Sequence, residues 1–236
     1  MNTLHSILLV ILAVLPGAFI VYKVYKQDKI EKEPKALLGM LLLGGVASTI
    51  PVGILEDILE KKILGLIFSK STPLYAFFDA FLVAALVEET AKYLILKKIT
   101  WKNPAFNYTF DAIVYAMCVG MGFAILENIL YVLMEGWEVA ILRAVTSIPG
   151  HAVYAVYMGY YYGRAKLCDT EHYTQGTRSN LLKALVVPLW LHGFYDFCLI
   201  INNNMFFWIF IVFINVLFRN TYKNINKFSA DDTSIK

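Results

Sequence analysis

Long apolar runs alternate with short polar stretches along the whole chain. The runs cover about residues 4–22, 36–55, 74–96, 106–134, 139–162, 181–201 and 205–218. Most come close to or exceed the roughly 20 residues that a helix needs to cross a hydrocarbon core. The pattern predicts an all-α, polytopic membrane protein with about seven transmembrane helices. The first run has no Lys or Arg before it and no small-residue cleavage site after it, which argues for a retained span over a cleaved signal peptide. Between the second and third runs, Leu55, Ile58, Leu59, Ile63, Leu66 and Ile67 recur at helical spacing. Glu56, Asp57, Glu60 and Lys61 fall mostly on the other side, so this stretch predicts an amphipathic helix lying in the interface. Pro73 suits the start of the next helix. Gly120 and Gly122 are expected to loosen or kink the fourth run, Pro149-Gly150 to break the fifth and Pro188 to interrupt the sixth. Residues 164–180 read as a polar loop and 219–236 as a disordered tail. The chain thus divides into 1–72, two spans plus the interfacial helix; 73–201, a four-span core; and 202–236, the last span and a polar tail.

Composition sharpens this. The chain is 58% hydrophobic and 17% charged, with a mean hydropathy of +0.59. Soluble domains of this size are roughly 45–50% apolar. The net charge of +3 is small and its carriers sit in loops, so it encodes topology, with no nucleic-acid partner. Lysines 23, 26, 29, 32 and 35 follow span one, and Lys97, Lys98 and Lys102 follow span three. Arg164, Lys166, Arg178 and Lys183 follow span five, and Arg219, Lys223, Lys227 and Lys236 follow span seven. This alternation predicts the N-terminus outside and the C-terminus in the cytoplasm. Cys118, Cys168 and Cys198 form no CxxC and read as small buried hydrophobes.

The chemistry is concentrated. Within LVAALVEETAKYLIL, residues 82–96, Glu88 and Glu89 stand four and three residues before Lys92, which puts acid and base on one helix face. Span four adds Asp111 and Glu127, span five Arg143 and His151, and span six His192 and Asp196. Asp79 reads as a polar residue near the outer side. Spans one, two and seven carry essentially no charge. Charges at membrane depth face a bundle interior or a water-filled cavity, so four consecutive spans predict a polar catalytic core. A carboxylate in such a cavity can act as general base, and adjacent carboxylates can share a proton, with Lys92 offsetting their repulsion. His192 and Asp196, four apart, let the acid orient the imidazole. His151 and His192 could hold a metal with a glutamate, Glu127 being a candidate, or donate to an oxyanion. Each residue also has a plainer reading: an ion pair gluing helices for Glu88, Glu89 and Lys92, a pair with Arg143 for Glu127, and a helix–helix hydrogen bond for His151. No HExxH is present.

Three ordered motifs carry a resemblance. EETAK at residues 88–92 matches EExxK, FAILE at 123–127 matches FxxxE, and HGFYD at 192–196 matches HxxxD. The chain resembles the PrsW family of bacterial intramembrane proteases, distant relatives of the type II CAAX prenyl endopeptidases. The match covers about residues 73–197. The resemblance implies a multi-pass protein of the bacterial plasma membrane that makes the first cut in a membrane-anchored anti-sigma factor, a single-span substrate, during a stress response. It also implies that Glu88 and Glu89 are the catalytic carboxylates and that His192 matters, with Lys92, Glu127, His151 and Asp196 in support. A divalent metal such as zinc is compatible with Glu127, His151 and His192. A non-catalytic scaffold or chaperone that grips partner helices in the same polar groove is the alternative. A proton-coupled transporter would also use such charges, but no inverted repeat is visible.

With the helix rise of 1.5 Å, Glu88 and His192 fall roughly 12 and 16 Å from the cytoplasmic end of their runs, and Glu127 roughly 25 Å. Glu127 is therefore expected to stand apart unless its helix starts deeper or bends.

Overall fold

A computed structural model describes residues 3–235. The helical stretches are α1 (Thr3–Gln27), α2 (Lys35–Ile67), α3 (residues 73–100), α4 (Asp111–Glu135), α5 (Trp137–Val145), α6 (Ser147–Thr170), α7 (Thr174–Ile200) and α8 (Asn204–Ala230). Six helices among the described residues are long and apolar enough to cross a membrane: α1, α2, α4, α5 with α6, α7 and α8. The charged α3 has a comparable length, roughly 42 Å, but is not among these six, one fewer than the seven expected. The protein is an all-α, multi-pass membrane protein.

Helix α4 is the axis. From Asp111 to Ala124 every side chain is buried. Helices α1, α2, α3 and α6 pack around it, α7 packs on α6 and α3, and α8 closes on α6 and α7. Leu15 and Phe19 on α1, and Trp208 and Val212 on α8, point outward as lipid-facing residues do. Lipid supplies no hydrophobic drive between helices, so close backbone packing has to do that work. The seam between α2 and α4 shows how. A Cβ on Gly45 would lie 2.1 Å from the Val119 carbonyl oxygen, and one on Gly122 2.1 Å from that of Leu42. Thr49 Oγ1 donates to the Phe123 carbonyl across the same seam, at 3.3 Å.

Several local expectations change. Gly120 and Gly122 do not kink α4, which runs unbroken; Gly122 is small because α2 lies against it. The stretch from Glu56 to Ile67 is not a separate interfacial helix. It continues α2 through a π-helical segment, Glu60–Leu64, with Leu66 and Ile67 turned outward. Glu60 is half-buried, accepting from the Tyr75 hydroxyl of α3 and pairing with Lys70, both at 2.7 Å. Local hydropathy cannot distinguish a charged face that meets water from one that meets another helix. The fifth run breaks at Thr146 (φ −121°, ψ −62°), and Pro149 sits in the first turn of α6, where proline is tolerated. Pro188 lies inside α7 without ending it.

Both polar segments are ordered. The expected loop at 164–180 is mostly helix, because α6 runs to Thr170 and α7 starts at Thr174. The expected disordered tail is likewise structured: α8 reaches Ala230 and the chain then turns back onto the start of α4. Thr109 N–H donates to the Thr233 carbonyl at 3.0 Å and Ile235 N–H to that of Asn107 at 2.8 Å. Asp232 accepts from the Thr109 hydroxyl and the Phe110 N–H. A helix N-terminus has unpaired N–H groups, and the polar tail answers them. Lys236, one of the basic residues of that tail, lies outside the described residues. Cys118, Cys168 and Cys198 are free thiols, the first and last buried.

Gly122→Leu should lower the unfolding midpoint in detergent. Overpacking usually costs about 1–3 kcal/mol, and here two backbones must part. Gly39→Leu is the control, since nothing lies within 4 Å of a Cβ there. Equal midpoints for the two variants, read by scanning fluorimetry, would contradict the role assigned to the seam.

Candidate active site

Helix α3 is positioned from its start. The Thr72 hydroxyl accepts from Tyr75 N–H at 3.2 Å, and Pro73 occupies the first turn. A π-helical stretch, Asp79–Ala85, precedes the acid pair; such stretches are frequent at functional sites. It packs on α7, where Phe81 lies so close to Gly193 that a Cβ would sit 2.4 Å from the ring. The residue after His192 is glycine because α3 and α7 meet there.

Lys92 is the hub. Its Nζ donates to Glu88 Oε2 at 2.8 Å and to Glu89 Oε1 at 2.8 Å, and lies 3.3 Å from His151 Nδ1. An ammonium has three N–H groups, so all three find acceptors. The same Nζ stands 4.3 Å from the centre of the Phe123 ring, a cation–π contact. From Glu89 the network passes to α7: Glu89 Oε1 to His192 Nδ1 is 3.0 Å, and His192 Nε2 to Asp196 Oδ2 is 3.1 Å. Both ring nitrogens of His192 thus face a carboxylate, an arrangement suited to two N–H donors. From His151 the network passes to α4: Nε2 is 3.1 Å from Glu127 Oε2, which also binds Arg143 at 2.7 Å. Arg143 Nε donates to Asn128 Oδ1 at 2.8 Å. Glu88, Glu89, Lys92, His151 and His192 are all at most 5% exposed.

Every site residue expected from the sequence therefore joins one network, Glu127 included. Its pair with Arg143 exists beside its contact with His151. Helix ends explain the apparent mismatch in depth. Because α7 begins at Thr174, well before Leu181, His192 lies roughly 27 Å along it, near the 24 Å of Glu127 along α4.

Two residues escaped the sequence reading. Glu56, on the continuation of α2, feels the charges of Glu88, Glu127, His192 and Lys92, and its Oε1 is buried with no hydrogen-bond donor. The second span is therefore not free of charge, and a fifth helix faces the core. Tyr154 stacks on His192 with centroids 4.7 Å apart and meets the His151 ring edge-on at 5.7 Å. Its buried hydroxyl also has no partner. Tyr154 lies three residues after His151 in a tyrosine-rich run, where tyrosines read as interfacial belt. A one-turn spacing from His151 was the available signal.

The donors that converge are Glu88, Glu89 and His151, whose ligand atoms lie within 4.8 Å of one another. Of the expected metal candidates Glu127, His151 and His192, only His151 is in this trio. Two carboxylates and an imidazole suit a catalytic divalent metal. The ammonium of Lys92 is held by the same three residues, so the pocket accepts a cation, and a metal would compete with Lys92 for it.

The family model described as PrsW family intramembrane metalloprotease matches residues 32–218. The chain is 34% identical over 187 residues to a Protease PrsW from Geobacillus kaustophilus, covering 79% of this chain and 77% of that one. It is 33% identical over 201 residues to that of Bacillus subtilis, covering 84% and 87%. For the Clostridioides difficile protein the figures are 32% over 225 residues, 93% and 91%. No solved structure matches.

Lys92→Met should destabilise the protein by about 3–5 kcal/mol, the usual consequence of orphaning a buried charge. Adding Glu88→Gln should recover part of the loss in denaturant titrations. Zn2+ should stabilise Lys92→Met more than the unaltered chain, since the competing ammonium is gone.

Proposed function

Because the chain belongs to the PrsW family of intramembrane metalloproteases, we propose that it hydrolyses a peptide bond in a membrane-anchored, single-span protein, with the α3 acid pair activating the attacking water. The observation that carries this reading is the convergence of α4 and α6 on Lys92 of α3, with α7 joined to the same network through the contact of His192 with Glu89. The two glutamates take different parts. Glu89 Oε1 is engaged by both Lys92 and His192, whereas Glu88 meets Lys92 through Oε2 alone. Glu88 is the base: it takes a proton from water as the water oxygen adds to the carbonyl carbon, then passes that proton to the amine nitrogen as the C–N bond breaks. Glu89 positions Lys92 and His192. His192, oriented by Asp196 and Glu89, lies beside the reacting carbonyl. The unpartnered O–H of Tyr154 donates to the oxyanion, and Lys92 offsets the negative charge that develops in a dry site.

The residues also fit the metal that the family description names. Glu88, Glu89 and His151 would hold it, each through one atom, where it would act as a Lewis acid and lower the pKa of water. The second oxygen of Glu88 stays available for the proton.

Within this reading the substrate is anti-sigma-factor-like, as the family resemblance implies, and the first cut is extracytoplasmic. The N-terminus is outside and the C-terminus cytoplasmic, in line with the basic residues in and just beyond the C-terminal parts of α1, α3, α6 and α8.

In proteoliposomes containing a single-span substrate, Glu88→Gln should lose at least ~10²-fold in cleavage rate. Full activity in both Glu88→Gln and Glu89→Gln would remove the acid pair from the mechanism. Tyr154→Phe should lose ~10²-fold or more in kcat with KM little changed, the signature of a lost oxyanion donor. An unchanged kcat would return Tyr154 to packing.

A further inference from the structure

A second buried acidic cluster lies away from the active site, where the link between α1 and α2 meets the start of α4. We propose that Asp28, Glu33 and Asp111 form a site for a hard divalent cation, Mg2+ or Ca2+, that clasps three chain segments together. One oxygen from each carboxylate lies within 4.8 Å of the other two. Their exposures are 2%, 3% and 1%. The acids Glu88, Glu89 and Glu127 each have a cationic partner within 4 Å, but among the described residues no Lys, Arg or His side chain comes that close to the carboxylates of these three. Lys32, the nearest basic residue in sequence, donates its ammonium to the backbone carbonyls of Asp28 and Tyr25.

The unpartnered atoms point to a ligand. Asp28 Oδ2 and Asp111 Oδ1 are buried without a donor, and so is the side-chain oxygen of the neighbouring Asn107. The other oxygen of Asp111 is fixed by the N–H groups of Asn107 and Tyr108, at 3.0 and 2.7 Å, and Glu33 accepts from the Tyr115 hydroxyl. These contacts hold Glu33 and Asp111, whose carboxyl groups also lie within hydrogen-bonding reach of each other, and Asp28 Oδ2 remains without a donor. Burial pushes the carboxyl groups of Asp28 and Glu33 above their ordinary range, and the Lys32 charge offsets this only in part at Asp28. All donors are oxygens, with no thiol or imidazole, which selects hard cations over zinc.

The position gives such a cation a structural task. Asp28 and Glu33 flank the turn from α1 to α2, Asp111 opens the axial helix, and Asn107 and Asp232 tie in the C-terminal tail. The cation would brace the end of the bundle against which α4, carrying Phe123 and Glu127, is set.

The test uses the full chain, purified in detergent, stripped with EDTA and desalted. It carries Glu88→Gln, so that a cation at the active site cannot supply the response. Thermal unfolding is followed against MgCl2, CaCl2 and ZnCl2, with NaCl at matched ionic strength. Tb3+ is titrated in parallel, with tyrosine excitation. The expected result is a saturable rise in midpoint with Mg2+ or Ca2+, larger than with Zn2+. Tb3+ emission, sensitised by the nearby Tyr115, should also appear and be displaced by the same cation. Asp28→Asn should raise the midpoint in EDTA, by relieving repulsion, and abolish both responses; Glu33→Gln should abolish them too. Whichever of Mg2+ and Ca2+ saturates at lower concentration identifies the ion. The proposal is overturned if no cation gives a saturable shift, or if both variants respond as the parent does. A midpoint in EDTA that already equals the cation-bound value would mean that protons alone fill the role.

Discussion

An ammonium group enclosed among apolar helices must have every N–H answered by the protein, because lipid offers nothing in return. Lys92 meets this constraint with one acceptor on each of Glu88, Glu89 and His151. Much of the core follows from that. The acceptors fix the faces of α3 and α6, the Phe123 ring fixes α4 against them, and Glu89 hands the constraint on to His192 in α7. Acids outnumber permanent cations here, with Glu56, Glu88, Glu89, Glu127 and Asp196 facing Lys92 and Arg143.

The spans and the residues of the buried network were legible because both rest on short-range rules. Apolar length marks a crossing helix, and a three- or four-residue spacing marks a shared face, so EETAK and HGFYD could be read on sight. Glu56 was illegible for a matching reason. Its sequence surroundings, rich in charge at helical spacing, are identical for a helix lying on a membrane and for one continuing past it against other helices. Only the packing of α2 on α4 at Gly45 and Gly122 decides between them. Tyr154 was hidden among residues of its own type. The tail and the 164–180 segment were misread because polarity reports what a stretch can solvate, not what it can pair with. Asp232 and Thr233 are polar and still ordered, since Thr109 and Phe110 present donors and acceptors to them.

The two acidic clusters make an informative contrast. In the active site, cations are threaded between the acids, so each carboxylate is held yet one oxygen can stay available. At the other end of α4, Asp111 and Glu33 are held by N–H and O–H donors, and no basic side chain among the described residues stands between them and Asp28. Similar residue types are thus arranged in two ways, and the difference lies in what stands between them.

The π-helical stretch Asp79–Ala85 also bears on how this gene can change. A π segment holds extra chain relative to a regular helix. Deleting a single codon there would tidy the hydrogen bonding of α3, yet turn everything on one side of it by about 100° relative to the other. The acid pair would then swing away from His192, or Pro73 and Tyr75 would lose their seats. Point substitutions along this stretch can be tried one at a time by evolution, but its length cannot: the reading frame of the helix is locked to the direction in which Glu88 and Glu89 must face.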